Sequence, residues 1–165
     1  MSASKLSLYN NALTVCGERQ LSSLTEKREP RRLLDQQWDA GAVQSCLEDA
    51  QWNFAMRSIK LEYSPSVAPT WGYRRAFDKP TDYVRTSAVC SDERFRLPLL
   101  QYVDEAGFWF ADLDVLYIRY VSNDNAYGNN LGMWPQSFQE YVYTFLASAI
   151  VWKLTQNDAK VLEIR

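Results

Sequence analysis

The sequence predicts an α+β protein: a helical bundle of N-terminal helices plus a long C-terminal helix, with a small antiparallel β-sheet inserted between them. Three observations lead there. Apolar residues recur at helical spacing through the first third of the chain, and between Ile59 and Val121 the period shortens to alternation around a glycine turn. From Tyr141 to Leu154 nearly every position is apolar. One domain is expected over residues 1–165, with N-terminal helices in 1–56, the β insertion in 57–122, the C-terminal helix in 133–156 and a tail in 157–165.

The first helix is expected over residues 4–16, where Leu6, Tyr9, Leu13 and Cys16 share one side and Gly17 supplies the stop. The next begins near residue 30. Pro30 suits a first helical position because its missing N–H and fixed φ cost nothing there, and Glu26 and Glu29 place negative charge beside the positive end of the dipole. Leu34, Trp38, Val43, Cys46, Leu47, Ala50 and Phe54 continue as one stripe, with a disturbance near Gly41.

Past Phe54 the alternation begins. Ile59, Leu61 and Tyr63 face one way and Lys60 and Glu62 the other, a half-buried strand ended by Pro65. Trp71 to Phe77 reads as a second strand. Leu100 to Val103 and Phe108 to Ala111 flank Asp104-Glu105-Ala106-Gly107 as a hairpin, since Gly107 can take positive φ. Val115 to Val121 is the last strand, rich in β-branched and aromatic residues. A loop rich in Asn, Asp and Gly then runs from Ser122 to Gly132, and Trp134-Pro135 opens the final helix.

That final helix has few polar positions between Tyr141 and Leu154, chiefly Thr144, Ser148 and Lys153, so it requires cover on most sides. Fourteen residues fall short of the roughly 20 that span a bilayer, so the cover is expected to be protein. A neighbouring copy of the chain would supply it, with Phe138, Tyr141, Phe145, Trp152 and Trp38 as the expected subunit interface, and burial wholly within its own chain is the competing expectation. In the tail, an extended conformation would put Leu162 and Ile164 on one side and Val161 and Glu163 on the other.

The order of the early motifs carries further information. Leu8-Tyr9-Asn10-Asn11-Ala12-Leu13, Gly17-Glu18-Arg19 and Leu21-Ser22-Ser23-Leu24-Thr25-Glu26 are followed by Glu29-Pro30-Arg31-Arg32 and Trp52-Asn53-Phe54-Ala55. This succession resembles the tail tubular protein A family of head-to-tail adaptors in tailed bacteriophages. The likeness is densest over residues 6–56 and continues loosely through Arg96-Leu97-Pro98 and the helix after Trp134-Pro135.

The resemblance implies a dodecameric ring that docks under the portal vertex of a filled capsid, carries the next tail component and lets double-stranded DNA pass without binding it tightly. It implies that the C-terminal segment grips the portal, through Lys160, Val161, Leu162, Ile164 and Arg165. The sheet and the Asn-rich loop would then meet the next tail protein through Asp104, Glu105, Asn123, Asn125 and Tyr127. The expected location is the head-tail interface of a virion made in the host cytoplasm.

Composition is consistent with a structural role. With 18 Lys and Arg against 20 Asp and Glu, the net charge is −2, which argues against a protein that holds nucleic acid by neutralising phosphates. An acidic or neutral lumen is expected of a ring that DNA must slide through. Lys27, Arg28, Arg31 and Arg32 form a local basic run, but Glu26, Glu29 and Asp35 offset it. Cys16, Cys46 and Cys90 are far apart and lack zinc or disulfide spacing, so free thiols are expected. The first residues lack the apolar core of a signal peptide.

No catalytic signature stands out. The chain has no histidine, which excludes Ser-His-Asp and Cys-His mechanisms, and its glycines lack phosphate-loop spacing. No cofactor or metal is expected. Asn123-Asp124-Asn125 lacks the glycine and distal glutamate of a calcium loop. Asp112 and Asp114 could point to one side as a carboxylate pair, which leaves a small metal-dependent hydrolase as one alternative and another oligomeric virion module as a second.

Overall fold

A computed structural model describes residues 3–155 and contains four helices and two small antiparallel sheets. The chain divides into two compact units. A helical unit combines residues up to Ala50 with those from Gly128 onward, and a sheet unit runs from Gln51 to Tyr127.

In the helical unit, α1 spans Lys5–Cys16. Ser4 and Ser7 form a reciprocal capping box at its start, and Gly17 ends it in the left-handed region, with φ 76. Helix α2 spans Glu29–Asp39 with Pro30 in its first turn. The stripe read as one helix through Phe54 is in fact broken: Gly41, at φ 102, ends the run, and α3 restarts over Ala42–Glu48. Phe54 lies in a separate 3-10 turn, Asn53–Ala55. A positive φ cannot continue a right-handed helix, so the disturbance near Gly41 is a full interruption.

Helix α4 spans Gln136–Thr155. Pro135 sits just outside it, its carbonyl accepting the amides of Phe138 and Gln139. The indole N–H of Trp134 donates to the Gly128 carbonyl at 2.9 Å, and the side chain of Gln139 donates back to the Trp134 carbonyl at 3.1 Å, which ties the preceding turn to the helix. Helices α1, α2 and α3 all pack on α4, α1 most extensively. Leu8, Leu13, Leu34, Leu47, Leu146 and Phe138 are fully enclosed.

The sheet unit holds β1 (Met56–Glu62), β2 (Arg75–Asp78), β3 (Tyr83–Cys90), β4 (Val103–Glu105), β5 (Phe108–Ala111) and β6 (Val115–Ser122). Where one sheet was expected there are two, ordered β1-β6-β3 and β2-β5-β4. Strand β3 has no counterpart in the sequence reading, and β2 is shorter than the predicted 71–77 run. The core lies between the sheets: Phe77, Trp109 and Ala111 from one meet Val89, Leu116, Ile118 and Tyr120 from the other. The hairpin turn is tighter than read, because Asp104 and Glu105 belong to β4 and only Ala106 and Gly107 turn, both with positive φ as a type I′ turn requires. Among the described residues, no helix is long and apolar enough to cross a membrane.

Candidate interaction surfaces

Helix α4 decides how much of the expected subunit interface is on offer. Phe138, Val142, Leu146, Ala147, Ile150 and Val151 are buried, so most of its circumference is covered by its own chain. Phe138 is fully enclosed, its ring set edge-on against Trp134 with centroids 4.7 Å apart, and it presents nothing to a neighbour. The remaining arc is open. Tyr141 is 41% and Trp152 52% exposed, and the half-buried Phe145 lies between them on the same stripe.

Tyr141 is held in place by a 2.7 Å hydrogen bond from its hydroxyl to Asp49, which pushes its pKa up to about 12, with burial adding to the shift. Trp38 is half-buried in a cluster on α1 and α2. Its ring meets Tyr9 edge-on at 6.0 Å and carries the Lys5 ammonium 5.4 Å above it. The Tyr9 hydroxyl donates to Asp35 at 2.7 Å, and Arg31 pairs with the other oxygen at 2.8 Å. Burial, followed by the Asp35 hydrogen bond, raises the Tyr9 phenol far above its ordinary value.

The residues expected to meet a tail protein differ in burial and in how they are held. Asp104 is anchored: Lys79 pairs with it, Thr86 donates to it at 2.6 Å and the Tyr83 hydroxyl reaches it at 3.4 Å. Burial raises its pKa, but these hydrogen bonds outweigh that and hold the carboxyl below its usual range. Lys79 also lies over the Tyr83 ring, and Trp109 donates its indole N–H to Thr86 at 3.1 Å. Asp104 thus fastens the hairpin to β3. Glu105 and Asn125 are exposed, while Asn123 and Tyr127 are half-buried.

The Asn-rich loop hangs from Asp82, a residue that sequence reasoning passed over. Only 7% exposed, its carboxylate accepts from Tyr120 at 2.8 Å, Ser122 at 2.5 Å and Arg57 at 2.8 Å, and its carbonyl accepts the Asn123 amide at 3.0 Å. The Arg57 guanidinium lies over the Tyr127 ring at 5.5 Å. Burial pushes the Asp82 pKa up, and the three hydrogen bonds more than reverse it. The signal was present: Pro80-Thr81-Asp82 is a turn sequence, and Tyr83 to Val89 is rich in β-branched residues.

Asp112 and Asp114 do not form a shared site. Asp112 accepts the Arg74 amide at 2.9 Å, whereas Asp114 pairs with the Arg75 guanidinium at 3.0 Å, which itself stacks on Tyr63 at 4.0 Å. Each aspartate fixes the entry of β2 against the β5–β6 corner. Among the described residues, no group of three or more Cys, Asp or Glu side chains is placed to hold a metal ion. Cys16, Cys46 and Cys90 are all buried and none is in a disulfide, and burial pushes the Cys46 thiol up to about 12. Lys160, Val161, Leu162, Ile164 and Arg165 lie outside the described residues. No family model matches the chain, and no curated protein matches it in sequence.

Proposed function

We propose that this chain is a structural head-to-tail adaptor of a tailed bacteriophage, which forms a ring on the portal and carries the next tail component around the DNA channel. In this reading the four helices act as a bundle that builds the ring, with the sheet unit inserted in it, and Glu105, Asn125 and Tyr127 face the tail protein. The C-terminal segment grips the portal. The observation that carries the reading is the open arc of α4, where Tyr141 and Trp152 present aromatic surface from a helix whose Phe138, Val142, Leu146, Ile150 and Val151 are buried. Aromatic residues are among the side chains that subunit interfaces favour. The ordered motifs of residues 6–56 supply the class of assembly.

The test is to mix the purified chain with portal rings and image the product. A collar of copies on the portal is the expected result, and a portal that stays bare overturns the proposal. Replacing Tyr141 and Trp152 together by Glu should prevent the collar while leaving the fold intact by circular dichroism. Removal of residues 157–165 should leave a folded chain that no longer attaches to filled heads.

A further inference from the structure

The sheet β1-β6-β3 has two long edges that are finished differently. Strand β3 carries two register shifts, and its carbonyls find partners besides β6: Val89 accepts the Leu99 amide at 2.9 Å, and Thr86 accepts the Gln51 side chain at 3.2 Å. Irregularity and cover of this kind blunt a sheet edge. Strand β1 has neither. Its seven residues pair with β6 without a shift, and among the described residues no further backbone bond reaches Arg57 through Glu62.

The pairing pattern fixes which groups point outward. The Tyr63 amide donates to the Asp114 carbonyl at 3.2 Å, one step beyond the Glu62–Val115 pair. Because bonded and non-bonded pairs alternate, Arg57, Ile59 and Leu61 spend their backbone groups on β6, and Ser58, Lys60 and Glu62 direct theirs away from it. The side chains alternate too: Ile59, Leu61 and Tyr63 pack on the core, while Ser58, Lys60 and Glu62 are exposed.

We infer that, in the absence of a portal, this edge seats residues 161–165 of a second copy of the chain as an antiparallel fourth strand. Val161-Leu162-Glu163-Ile164-Arg165 supplies the matching alternation. One antiparallel register satisfies both charge and polarity. With Glu163 opposite Lys60, Leu162 falls opposite Leu61 and Ile164 opposite Ile59, on the apolar side. Val161 and Arg165 then face Glu62 and Ser58. A slip of two residues in one direction sets Glu163 against Glu62 and Arg165 against Lys60, and a slip in the other places Lys160 on the apolar side opposite Leu61. In the favoured register about six backbone hydrogen bonds form. The contact is head-to-tail, the kind that propagates and closes rings.

Two full-length variants, Lys60→Cys and Glu163→Cys, mixed under mild oxidation, test the pairing without any portal. Directly opposed residues in a bonded pair lie about 5.5 Å apart between Cα atoms, within disulfide reach, whereas diagonal neighbours at roughly 7–8 Å lie beyond it. A disulfide joining positions 60 and 163 of different chains is therefore expected, with little or none when Ser58→Cys or Glu62→Cys replaces Lys60→Cys. The native thiols are buried and do not compete. Hydrogen exchange of the uncrosslinked chain gives a second readout: protection at positions 58, 60 and 62 should be lost in Lys60→Glu and regained when Glu163→Lys is added. Absence of the 60–163 link, equal linking at all three positions, or protection indifferent to Lys60→Glu overturns the inference.

Discussion

Replacing Asp82 by Asn tests the network that holds the Asn-rich loop to the sheets. The change keeps the side chain's shape but leaves a single acceptor oxygen where the carboxylate receives Tyr120, Ser122 and Arg57. Tyr120 and Ser122 are both fully buried, so whichever faces the new amide N–H₂ loses its partner without gaining water. One orphaned buried hydroxyl costs about 1–3 kcal/mol, and loss of the charge-assisted bond from Arg57 adds about 1 kcal/mol, for a total of about 2–4 kcal/mol. With a urea m-value of about 1.5 kcal/mol/M, the midpoint for the sheet unit, read by tryptophan fluorescence, should fall by about 2 M. The pH dependence makes the prediction sharper. Because the folded-state pKa of Asp82 lies below the ordinary 3.8, its stabilisation is complete above that value and disappears as pH falls through the lower folded value. The two proteins should therefore converge in acid. A loss under about 0.5 kcal/mol at neutral pH, or a gap that persists in acid, would refute the idea that the charged acceptor organises this corner.

Three further outcomes are expected. At the hairpin, Ala106→Asn should stabilise the sheet unit by about 0.5–1 kcal/mol in thermal or urea melts, because Asn accepts the positive φ that Ala106 holds at a cost; Gly107→Ala, at φ 83 with open space around its Cβ, should destabilise by about 1–2 kcal/mol through backbone conformation alone. In α4, ultraviolet titration should show the Tyr141 phenol ionising near 12; since that value lies above the ordinary 10.0, its contribution is intact below pH 10 and fades as pH rises through the folded value, and Tyr141→Phe should remove it at a cost of about 0.5–1.5 kcal/mol. All three cysteines should resist a thiol reagent in the native chain and react together in denaturant, because Cys16 and Cys46 are fully buried, Cys90 is 2% exposed, and burial favours the protonated thiols of Cys46 and Cys90.

Helix α1, the Pro30 start and α4 were legible because local rules set them: a glycine stop, a proline in the first turn and an unbroken apolar run. Gly41 was visible as a disturbance. Its φ of 102 was not, since glycine tolerates either sign, and the helical spacing of Val43, Cys46 and Leu47 concealed the restart. Strand β3 escaped notice because Arg85, Thr86 and Ser87 interrupt its apolar pattern, and the bulges there shift which residues face the core. The interaction surfaces were harder still. Which aromatics of α4 stay exposed depends on where α1, α2 and α3 pack, a tertiary fact, so Phe138 and Trp152 look alike in sequence and differ in burial. Likewise Asp104 and Glu105 are adjacent at the tip of one hairpin, yet only Asp104 meets Lys79 and Thr86, which arrive from residues about twenty positions earlier.

The helical unit is assembled from both ends of the chain, and this bears on how the protein is made. Residues 1–50 leave the ribosome carrying Leu8, Tyr9, Leu13 and Leu34, all buried in the finished unit, where α1, α2 and α3 pack on α4. That helix is synthesised after all three of the others. The sheet unit, contiguous from Gln51 to Tyr127, has all its strands in hand well before then and can fold while α1 to α3 still wait for their cover. During that interval the nascent chain displays a greasy N-terminal surface that stays uncovered until α4 emerges, so truncated products ending before residue 136 should be the ones that aggregate or engage chaperones.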